Sequence, residues 1–287
     1  MRRSFGIALF VAFALVAAAC GGDDSDGASG GSCDVADMPL VTAGTLTVGT
    51  GEPVFPPWMG VGDDFFDVPE SKTGFEGALV YALAAELGFT DDQVVFTRTG
   101  FTEVIAPGTK GFDFNIQQYS ITEDREKVVD FSDPYYTTRQ ALVTFEDSPY
   151  ASVSSVDDLK DAKLGAAIGT TSLDFIEDVI KPDSDASVYD ENVDVESAMR
   201  AGQIDALVVD LPAAYFVTAV QVEGSVIAGQ FEAEAAAPDN YGMLFADGNA
   251  LVGCVNDALE VLVDNGTLQG LEDTWLTQDG GVPIISD

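Results

Sequence analysis

The stretch GFDFNIQQYSITEDREKVVDFSDPYY, from Gly111 to Tyr136, decides how the chain is interpreted. Residues 113–116 alternate polar and apolar side chains, which predicts a short strand, and polar donors follow at residues 117–120. Thr122 is a good N-cap and the acids after it suit the first turn of a helix, which places Arg125 one turn in. Unpaired N–H groups favour an anion, and a guanidinium beside them can take a carboxylate through two parallel hydrogen bonds. The stretch therefore predicts a carboxylate-binding site at the end of a strand.

A simpler alternative is that Arg125 pairs with a neighbouring acid such as Glu123 and has no other role. For an isolated arginine in so acidic a chain that alternative is favoured. The wider pattern reverses the preference, because SITEDR (residues 120–125) followed by FSDPYY (residues 131–136) resembles the SITxxR...FSxPYY signature of the family 3 extracellular solute-binding proteins. These proteins are the amino-acid-binding subunits of ABC importers. Further family features recur in order from about residue 44 to residue 276.

The resemblance implies an α/β protein with the two-lobed fold of type II periplasmic binding proteins, in which each lobe is a mixed sheet flanked by helices and two chain crossings form the hinge. The expected lobes are residues 45–143 with 240–287, and residues 144–239. The implied function is that of an extracytoplasmic receptor, which binds a free amino acid between the lobes and delivers it to the membrane subunits of an ABC importer. In this family the motif arginine, here Arg125, holds the ligand α-carboxylate, and Ser120 is a further contact.

The second lobe is expected to contribute Thr170, Thr171 and Asp210. Residues 163–168 predict a strand that ends in Gly-Thr-Thr-Ser, where N–H groups and hydroxyls can bind an anion, although a plain capped helix start fits equally well. In the family this turn closes on the ligand carboxylate from the opposite lobe. Asp210 comes just past the strand predicted at 204–209, and the resemblance assigns it the ligand α-amino group. Together with the motif arginine it would form a clamp for a zwitterion.

Aromatic and polar residues of the first lobe are expected around the ligand side chain. Phe55 lies in a proline-rich turn after the first strand, and Phe101 opens a later helix. By resemblance these two rings sandwich the ligand side chain, with core packing as the alternative for Phe101, whereas Trp58 is expected in the core. Gln118 and Glu52 are placed to reach the side chain, which favours a neutral polar or a cationic amino acid.

The N-terminal residues predict an exported protein. Two arginines precede an apolar run from Phe5 to Ala19 that is too short for a comfortable membrane span, which indicates a signal peptide over residues 1–19. The run ends in AAACGG, which resembles a lipobox with Cys20 as the lipidated residue; ordinary cleavage after Ala-x-Ala is the alternative. Residues 20–44 are rich in Gly, Asp and Ser and predict a lipidated, flexible tether. The expected location is the outer face of the cytoplasmic membrane, with the lipid anchor as the only membrane contact.

Three cysteines in an exported chain leave one without a partner if the other two pair. Lipidation of Cys20 leaves Cys33 and Cys254. We therefore predict a disulfide between them, which joins the end of the tether to a late helix.

The charge of the chain limits its partners. There are 12 Lys and Arg residues against 49 Asp and Glu residues and no His, for a net charge of −37. Such a field repels nucleic acid and anionic lipid headgroups, so neither is an expected partner. A solvated surface explains the acidity, and a saline habitat is a further hypothesis.

The residues alone do not favour an enzyme function. The chain has no histidine to act as a base and no P-loop pattern, and GTGEPV at Gly49 lacks the last glycine of a dinucleotide-binding turn. No metal and no cofactor are expected. The protein is expected to be a monomer. Two alternatives stay open: an enzyme on the same scaffold, such as a cyclohexadienyl or arogenate dehydratase, and a sensor domain without transport.

Overall fold

A computed structural model describes residues 32–232, 238–276 and 281–286. The signal peptide, Cys20 and the first part of the tether, all predicted from the sequence, lie outside the described residues. The strands are β1 Leu46–Thr50, β2 Val94–Arg98, β3 Phe114–Asn115, β4 Val129–Phe131, β5 Tyr136–Thr138, β6 Gln140–Phe145, β7 Leu164–Ala167, β8 Ser187–Tyr189, β9 Ala206–Asp210, β10 Ser225–Phe231, β11 Asp239–Tyr241, β12 Leu244–Ala246 and β13 Ile284–Ile285. The α-helices are α1 Phe75–Glu86, α2 Phe101–Ile105, α3 Thr171–Phe175, α4 Asn192–Arg200, α5 Leu211–Phe216, α6 Leu251–Asp264 and α7 Thr267–Trp275.

The first sheet has five strands in the order β2-β1-β3-β12-β4. β1 runs parallel to β2 and β3, and β12 runs antiparallel to β3 and β4. Apolar residues of α1 and α6 are buried against this sheet, among them Leu79, Leu83 and Leu259. α1 begins after Gly74, whose φ is +88° and where a Cβ would come within 2.5 Å of the Trp58 carbonyl oxygen, so only glycine fits.

The second sheet has six strands in the order β13-β10-β6-β9-β7-β8. β7 runs parallel to β8 and β9, while β6 runs antiparallel to β9 and β10. The sequence analysis assigned residues 140–143 and 281–287 to the first lobe, but β6 and β13 both pair in this sheet. Ladder pairing determines to which sheet a strand belongs, and an apolar pattern does not reveal the partner. The remaining lobe boundaries stay a prediction.

The chain passes between the sheets along a short ribbon. β5 and β11 pair antiparallel outside both sheets, with Thr138 opposite Asp239. β5 leads directly into β6, and β11 leads back towards β12. β13 adds a third connection, beyond the two hinge crossings that the family resemblance implies, because the chain returns to the second sheet after α7.

Three elements differ from their sequence prediction. The helix predicted from Thr122 is one 3₁₀ turn, Arg125–Lys127, because the chain must return to the sheet as β4. The sequence NYGMLFA, residues 240–246, also predicts one strand, but the strand is broken at Gly242, where a Cβ would meet the Ile121 side chain at 2.9 Å. Asp247 is a good N-cap for the long amphipathic helix that the sequence predicts after it, but that helix begins at Leu251, whose N–H donates to the side chain of Asn249.

The predicted disulfide is confirmed. Cys33 and Cys254 are bonded, with their Cα atoms 5.5 Å apart, so residue 33 is attached to α6. Within the described ranges, none of the helices has both the length and the apolarity needed to cross a membrane.

Candidate functional site

A cleft lies between the two sheets at the carboxyl ends of their strands. It has a volume of about 1250 Å³, its open mouth included. Its first wall follows β1, β2 and β3, and its second wall follows β7, β8 and β9. Ligands of α/β proteins bind outside the carboxyl ends of strands. All nine residues predicted to bind ligand line this cleft: Glu52, Phe55, Phe101, Gln118, Ser120, Arg125, Thr170, Thr171 and Asp210.

Arg125 is the charged centre of the first wall. The residue is 8% exposed, and its guanidinium donates from Nη1 to the Ser120 carbonyl oxygen at 2.7 Å and from Nη2 to the Gly169 carbonyl oxygen of the second wall at 2.9 Å. Its Cζ lies 5.6 Å from the centre of the Phe101 ring, which is stacked on Tyr119 at 4.8 Å. A guanidinium has five N–H donors, so donors remain for a carboxylate.

The electrostatic surroundings of Arg125 are acidic. Burial lowers its pKa, and the nearby acids Asp174, Asp239 and Asp210 raise it. Because a guanidinium ordinarily titrates far above neutral pH, the side chain keeps its charge at any pH at which the protein works. The first wall therefore offers a permanent positive charge.

Asp210 is the charged centre of the second wall. It ends β9 and is half-buried. Burial and, to a smaller extent, the nearby Asp239 raise its pKa to about 7, against hydrogen bonding and Arg125, which lower it. At neutral pH the carboxyl is therefore close to the midpoint of its titration, and a bound ammonium would favour its ionised form.

Gln140 is a buried residue that the sequence analysis missed. Its amide nitrogen donates to Asp210 Oδ1 at 2.7 Å and to Asp239 Oδ2 at 2.8 Å, and its Oε1 accepts from the Ser172 hydroxyl at 2.7 Å. Gln140 begins β6, and Asp239 begins β11, so this amide connects the second wall to the ribbon between the sheets. A polar residue at the start of an otherwise apolar strand is the signal that could have found it.

The two threonines of the second wall differ in what their hydroxyls contact. Thr170 accepts from the Leu173 N–H at 3.2 Å and donates to the Ala167 carbonyl oxygen at 2.8 Å, so its hydroxyl caps α3. Thr171 Oγ1 lies 3.3 Å from Ser120 Oγ, across the cleft. Its hydroxyl therefore faces the first wall, whereas a ligand contact by Thr170 is left to the backbone.

Glu76 is a second buried residue that the sequence analysis missed. It is 1% exposed, accepts the Gln118 N–H at 2.9 Å, and also accepts from the Gln118 side-chain amide and the Tyr135 hydroxyl. Burial raises its pKa to about 7 against these hydrogen bonds, which lower it. Gln118 has a φ of +52°, and the contacts from Glu76 stabilise that conformation. The Gln118 amide thus lies on the cleft wall but is hydrogen-bonded to Glu76. An acid inside an apolar helix start was the available signal.

The turn that carries Phe55 is held in place by Arg98 and Asp67. Arg98 donates to the Gly51 carbonyl oxygen at 2.6 Å and forms an ion pair with Asp67 at 2.9 Å, and Asp67 also accepts from the Val54 N–H at 2.9 Å. These contacts fix the segment from Gly51 to Val54, directly before Phe55. Phe55 is therefore presented to the cleft on a stiff loop.

The aromatic residues of this turn have different surroundings. Phe55 is half-buried and meets the edge of Phe66 with ring centres 6.4 Å apart. Trp58 is 4% exposed and packs edge-on against Phe75 and Tyr241, so it belongs to the core as expected. Glu52 is exposed and lies at the rim of the cleft.

Comparison with known proteins agrees with this geometry. Residues 46–278 match the bacterial extracellular solute-binding proteins, family 3. The L-cystine-binding protein TcyJ of Escherichia coli (strain K12) is 31% identical over 239 residues, which cover 82% of this chain and 84% of that protein. A solved structure of an ancestral arginine-binding protein bound to arginine is 30% identical, with a TM-score of 0.67, and covers 82% of this chain and 99% of its own.

Another solved structure is that of the ancestral amino acid-binding protein AncCDT-1, described as a precursor of cyclohexadienyl dehydratase. It is 30% identical to this chain, with a TM-score of 0.66, and covers 82% of this chain and 96% of its own. The predicted two-lobed fold of type II periplasmic binding proteins is confirmed by these likenesses. The family match spans most of the residues that build both walls of the cleft, and the chain belongs to the bacterial extracellular solute-binding proteins of family 3.

Proposed function

We propose that this protein is an extracytoplasmic receptor that binds a free amino acid between its two walls and delivers it to the membrane subunits of an ABC importer. One observation carries the proposal: Arg125 and Asp210, which have opposite charges and come from different sheets, line the same cleft. An α-amino acid has the complementary pair of charges at one end. The family to which the chain belongs binds solutes outside the cell.

The ligand is held at its backbone end by groups from both walls. Its carboxylate takes the remaining N–H donors of Arg125 together with the hydroxyls of Ser120 and Thr171. Its ammonium contacts Asp210, which Gln140 holds in place. Closure of the walls excludes water, which strengthens both charged contacts, and the closed form is the one that docks productively on the importer.

The charges along the cleft favour particular ligand side chains. Arg125 is the one basic residue among the described residues that line the cleft. The acids that line it, besides Asp210, are Glu52, Glu76, Asp190 and Glu191. An anionic side chain is repelled here. We propose a neutral polar or cationic amino acid, and the structure bound to arginine that resembles this chain supports the cationic choice.

We further propose that the receptor is a monomer, anchored to the outer face of the cytoplasmic membrane through lipid on Cys20. The proposal depends on residues 1–20, which include the apolar run and the lipobox-like AAACGG. Mass spectrometry of the mature N-terminus tests it: a lipid on Cys20 supports the anchor, whereas an unmodified N-terminus at this position contradicts it. A Cys20→Ala variant released into the medium would be the expected companion result.

A screen of the twenty amino acids by thermal shift, followed by calorimetry, tests the receptor function. A ligand that binds the folded state raises the melting temperature by mass action. We expect one amino acid or a small group of them to do so, and uptake of that ligand should depend on the protein in cells. A flat response to all twenty would remove the receptor proposal, and binding without any contribution to uptake would favour the sensor alternative.

A dehydratase on the same scaffold is a second candidate because AncCDT-1, which is similar to this chain, is a precursor of cyclohexadienyl dehydratase. Incubation with prephenate or arogenate, followed by ultraviolet detection of an aromatic product, separates the two functions. We expect no product. Turnover above the uncatalysed rate would favour the enzyme.

A further inference from the structure

A side cavity opens from the cleft between the Phe55 turn and the second sheet. It has a volume of about 550 Å³ and shares part of its wall with the cleft, including Phe55, Asn192 and Val209. The rest of its wall is largely apolar and comes from β9, α4 and α5, with Leu207 and Phe216 as examples. The side cavity therefore adjoins the cleft that holds Arg125 and Asp210, and its wall is largely apolar.

Glu196 lies on the wall of this side cavity. It is the one ionisable residue on the wall within the described part of the chain, and it is 4% exposed. Within the described residues its charged neighbour is Arg200, whose Nη1 lies 3.7 Å from Oε2, and none of these residues donates a hydrogen bond to its carboxylate. Arg200 is itself 42% exposed at its side chain and donates to the Gln221 carbonyl oxygen and the Ser197 hydroxyl. A buried carboxyl without a hydrogen bond is costly, which makes Glu196 an unusual residue for an apolar wall.

The separation of Glu196 from the border between the two cavities suits a ligand side chain with an aliphatic chain of several methylenes. Asn192 borders both the cleft and the side cavity, and Glu196 follows it by about one helical turn, or ~6 Å, along α4. The stems of lysine and arginine, with three or four methylenes, pack along apolar surface while keeping a charged head at the end. The cavity thus has a largely apolar wall and an acid about one helical turn from its border with the cleft.

We propose that the side cavity is the subsite for a cationic side-chain end, with Glu196 as its acceptor, so that the ligand is an α-amino acid carrying an ammonium or guanidinium on an aliphatic stem. This rests on the proposed function of the cleft. Glu196 is the specificity-determining residue. Glu52 at the exposed rim contributes less, because solvent screens a charge pair there.

Calorimetry with L-arginine and L-citrulline tests the subsite, because citrulline has the same shape with an uncharged end. We expect the native protein to prefer arginine and Glu196→Gln to bind arginine about 10- to 100-fold more weakly, with citrulline changed by about twofold or less. Asp194→Asn is the matched control: it removes one acid from an exposed position of the same helix, borders neither cavity, and should leave both affinities unchanged. Lysine and norleucine repeat the comparison for an ammonium.

Proton release gives a second measurement that a purely structural role of Glu196 would not change. Burial raises the pKa of Glu196 to about 7 and Arg200 opposes that rise, so a bound cation displaces a proton from this carboxyl at neutral pH. Calorimetry in buffers of different ionisation enthalpy should show more protons released by arginine than by citrulline, and Glu196→Gln should remove the difference.

The possible results separate the subsite from the receptor function. Equal arginine affinity in the native protein and Glu196→Gln would mean that Glu196 only pairs with Arg200, and would overturn the subsite. Binding of other amino acids but of neither arginine nor lysine would also overturn it, while leaving the receptor function intact. If no amino acid binds, the receptor function fails and the subsite fails with it.

Discussion

The two walls of the cleft carry opposite charges, which differ in whether they depend on pH. On the first wall, Arg125 donates to two carbonyl oxygens and lies over an aromatic ring. On the second wall, Asp210 shares the amide of Gln140 with Asp239, and its pKa is about 7. The first charge is permanent, whereas the second depends on pH and on what is bound beside it.

This difference assigns separate roles to the walls. A permanent guanidinium binds a carboxylate equally well across the physiological range. A carboxyl near its titration midpoint gains charge when an ammonium arrives, so the second wall responds to the ligand as well as binding it. The direct contacts between the walls, from Arg125 to Gly169 and from Ser120 to Thr171, would let that response accompany closure.

Removal of the permanent charge should have the largest effect. Arg125→Ala is expected to weaken amino-acid binding by about 2–5 kcal/mol, because the ligand carboxylate loses its partner in a desolvated site. Calorimetry with the ligand found by the screen measures this loss. Lys127→Ala, an exposed change in the same turn, is the control and should bind normally. An unchanged affinity for Arg125→Ala would show that Arg125 does not bind the ligand carboxylate.

Glu76, the buried acid of the first wall, should make the stability of the fold depend on pH. Burial raises the pKa of Glu76 from 4.5 to about 7, so the folded state holds a proton that the unfolded state has released. This contribution to stability is complete below pH 4.5 and is lost as pH rises through 7, which amounts to about 3 kcal/mol.

Urea unfolding of the ligand-free protein between pH 4.5 and 8 measures the contribution of Glu76. The free energy of unfolding should decrease with rising pH, and Glu76→Gln should reduce the slope. Glu86→Gln, at an exposed position of the same helix, should keep it. Parallel slopes for Glu76→Gln and the native protein would contradict the assignment.

The second wall should make affinity depend on pH. Below pH 7 a proton competes with the ligand ammonium for Asp210, so affinity should fall as pH falls, by up to about tenfold, or ~1.4 kcal/mol, per unit. Asp239 faces the same amide and Arg125 the same cleft, and Arg125 does not titrate in this range. Calorimetry from pH 8 to pH 5.5 measures the trend.

A variant isolates the part due to Asp210. Asp210→Asn should bind more weakly at pH 8 and show a flatter dependence on pH, since its amide cannot ionise. An affinity of the native protein that stays constant from pH 8 to pH 5.5 would show that the second wall is as permanent as the first.

The smallest expected effect concerns the support of Phe55. Phe66→Ala removes the ring that contacts Phe55 and should weaken binding by about 0.5–1 kcal/mol. Phe65→Ala is a matched change, because Phe65 is 44% exposed and Phe66 51% exposed, and of these two rings Phe66 is the one that meets Phe55. Calorimetry that finds equal affinities for the two variants would place Phe66 outside the site.

The sequence predicted those parts of the site that depend on where a strand ends. Arg125 and Asp210 could be assigned because a motif and a strand end locate them, and the disulfide followed from the count of cysteines. Glu76 and Gln140 were missed because their importance comes from partners distant in sequence, such as Tyr135 and Asp239. Such contacts depend on how helices and strands pack together. Neither the periodicity nor the composition of the sequence predicts that packing.

The helix expected after Thr122 also shows that a sequence pattern does not predict the effect of contacts distant in sequence. Thr122 does act as a cap, since its hydroxyl accepts the Arg125 N–H at 3.3 Å. The helix still ends after one turn, because Val129–Phe131 pairs with β12. Local propensity started the turn correctly, and sheet pairing decided its length.

The disulfide between Cys33 and α6 has a mechanical consequence. Any pull on the N-terminal end of the chain is transmitted to the helix behind the first sheet, and not to the ribbon of β5 and β11 that connects the sheets. A receptor held from that end would keep the arginine-bearing wall stationary with respect to its attachment. The aspartate-bearing wall would then be the one that travels.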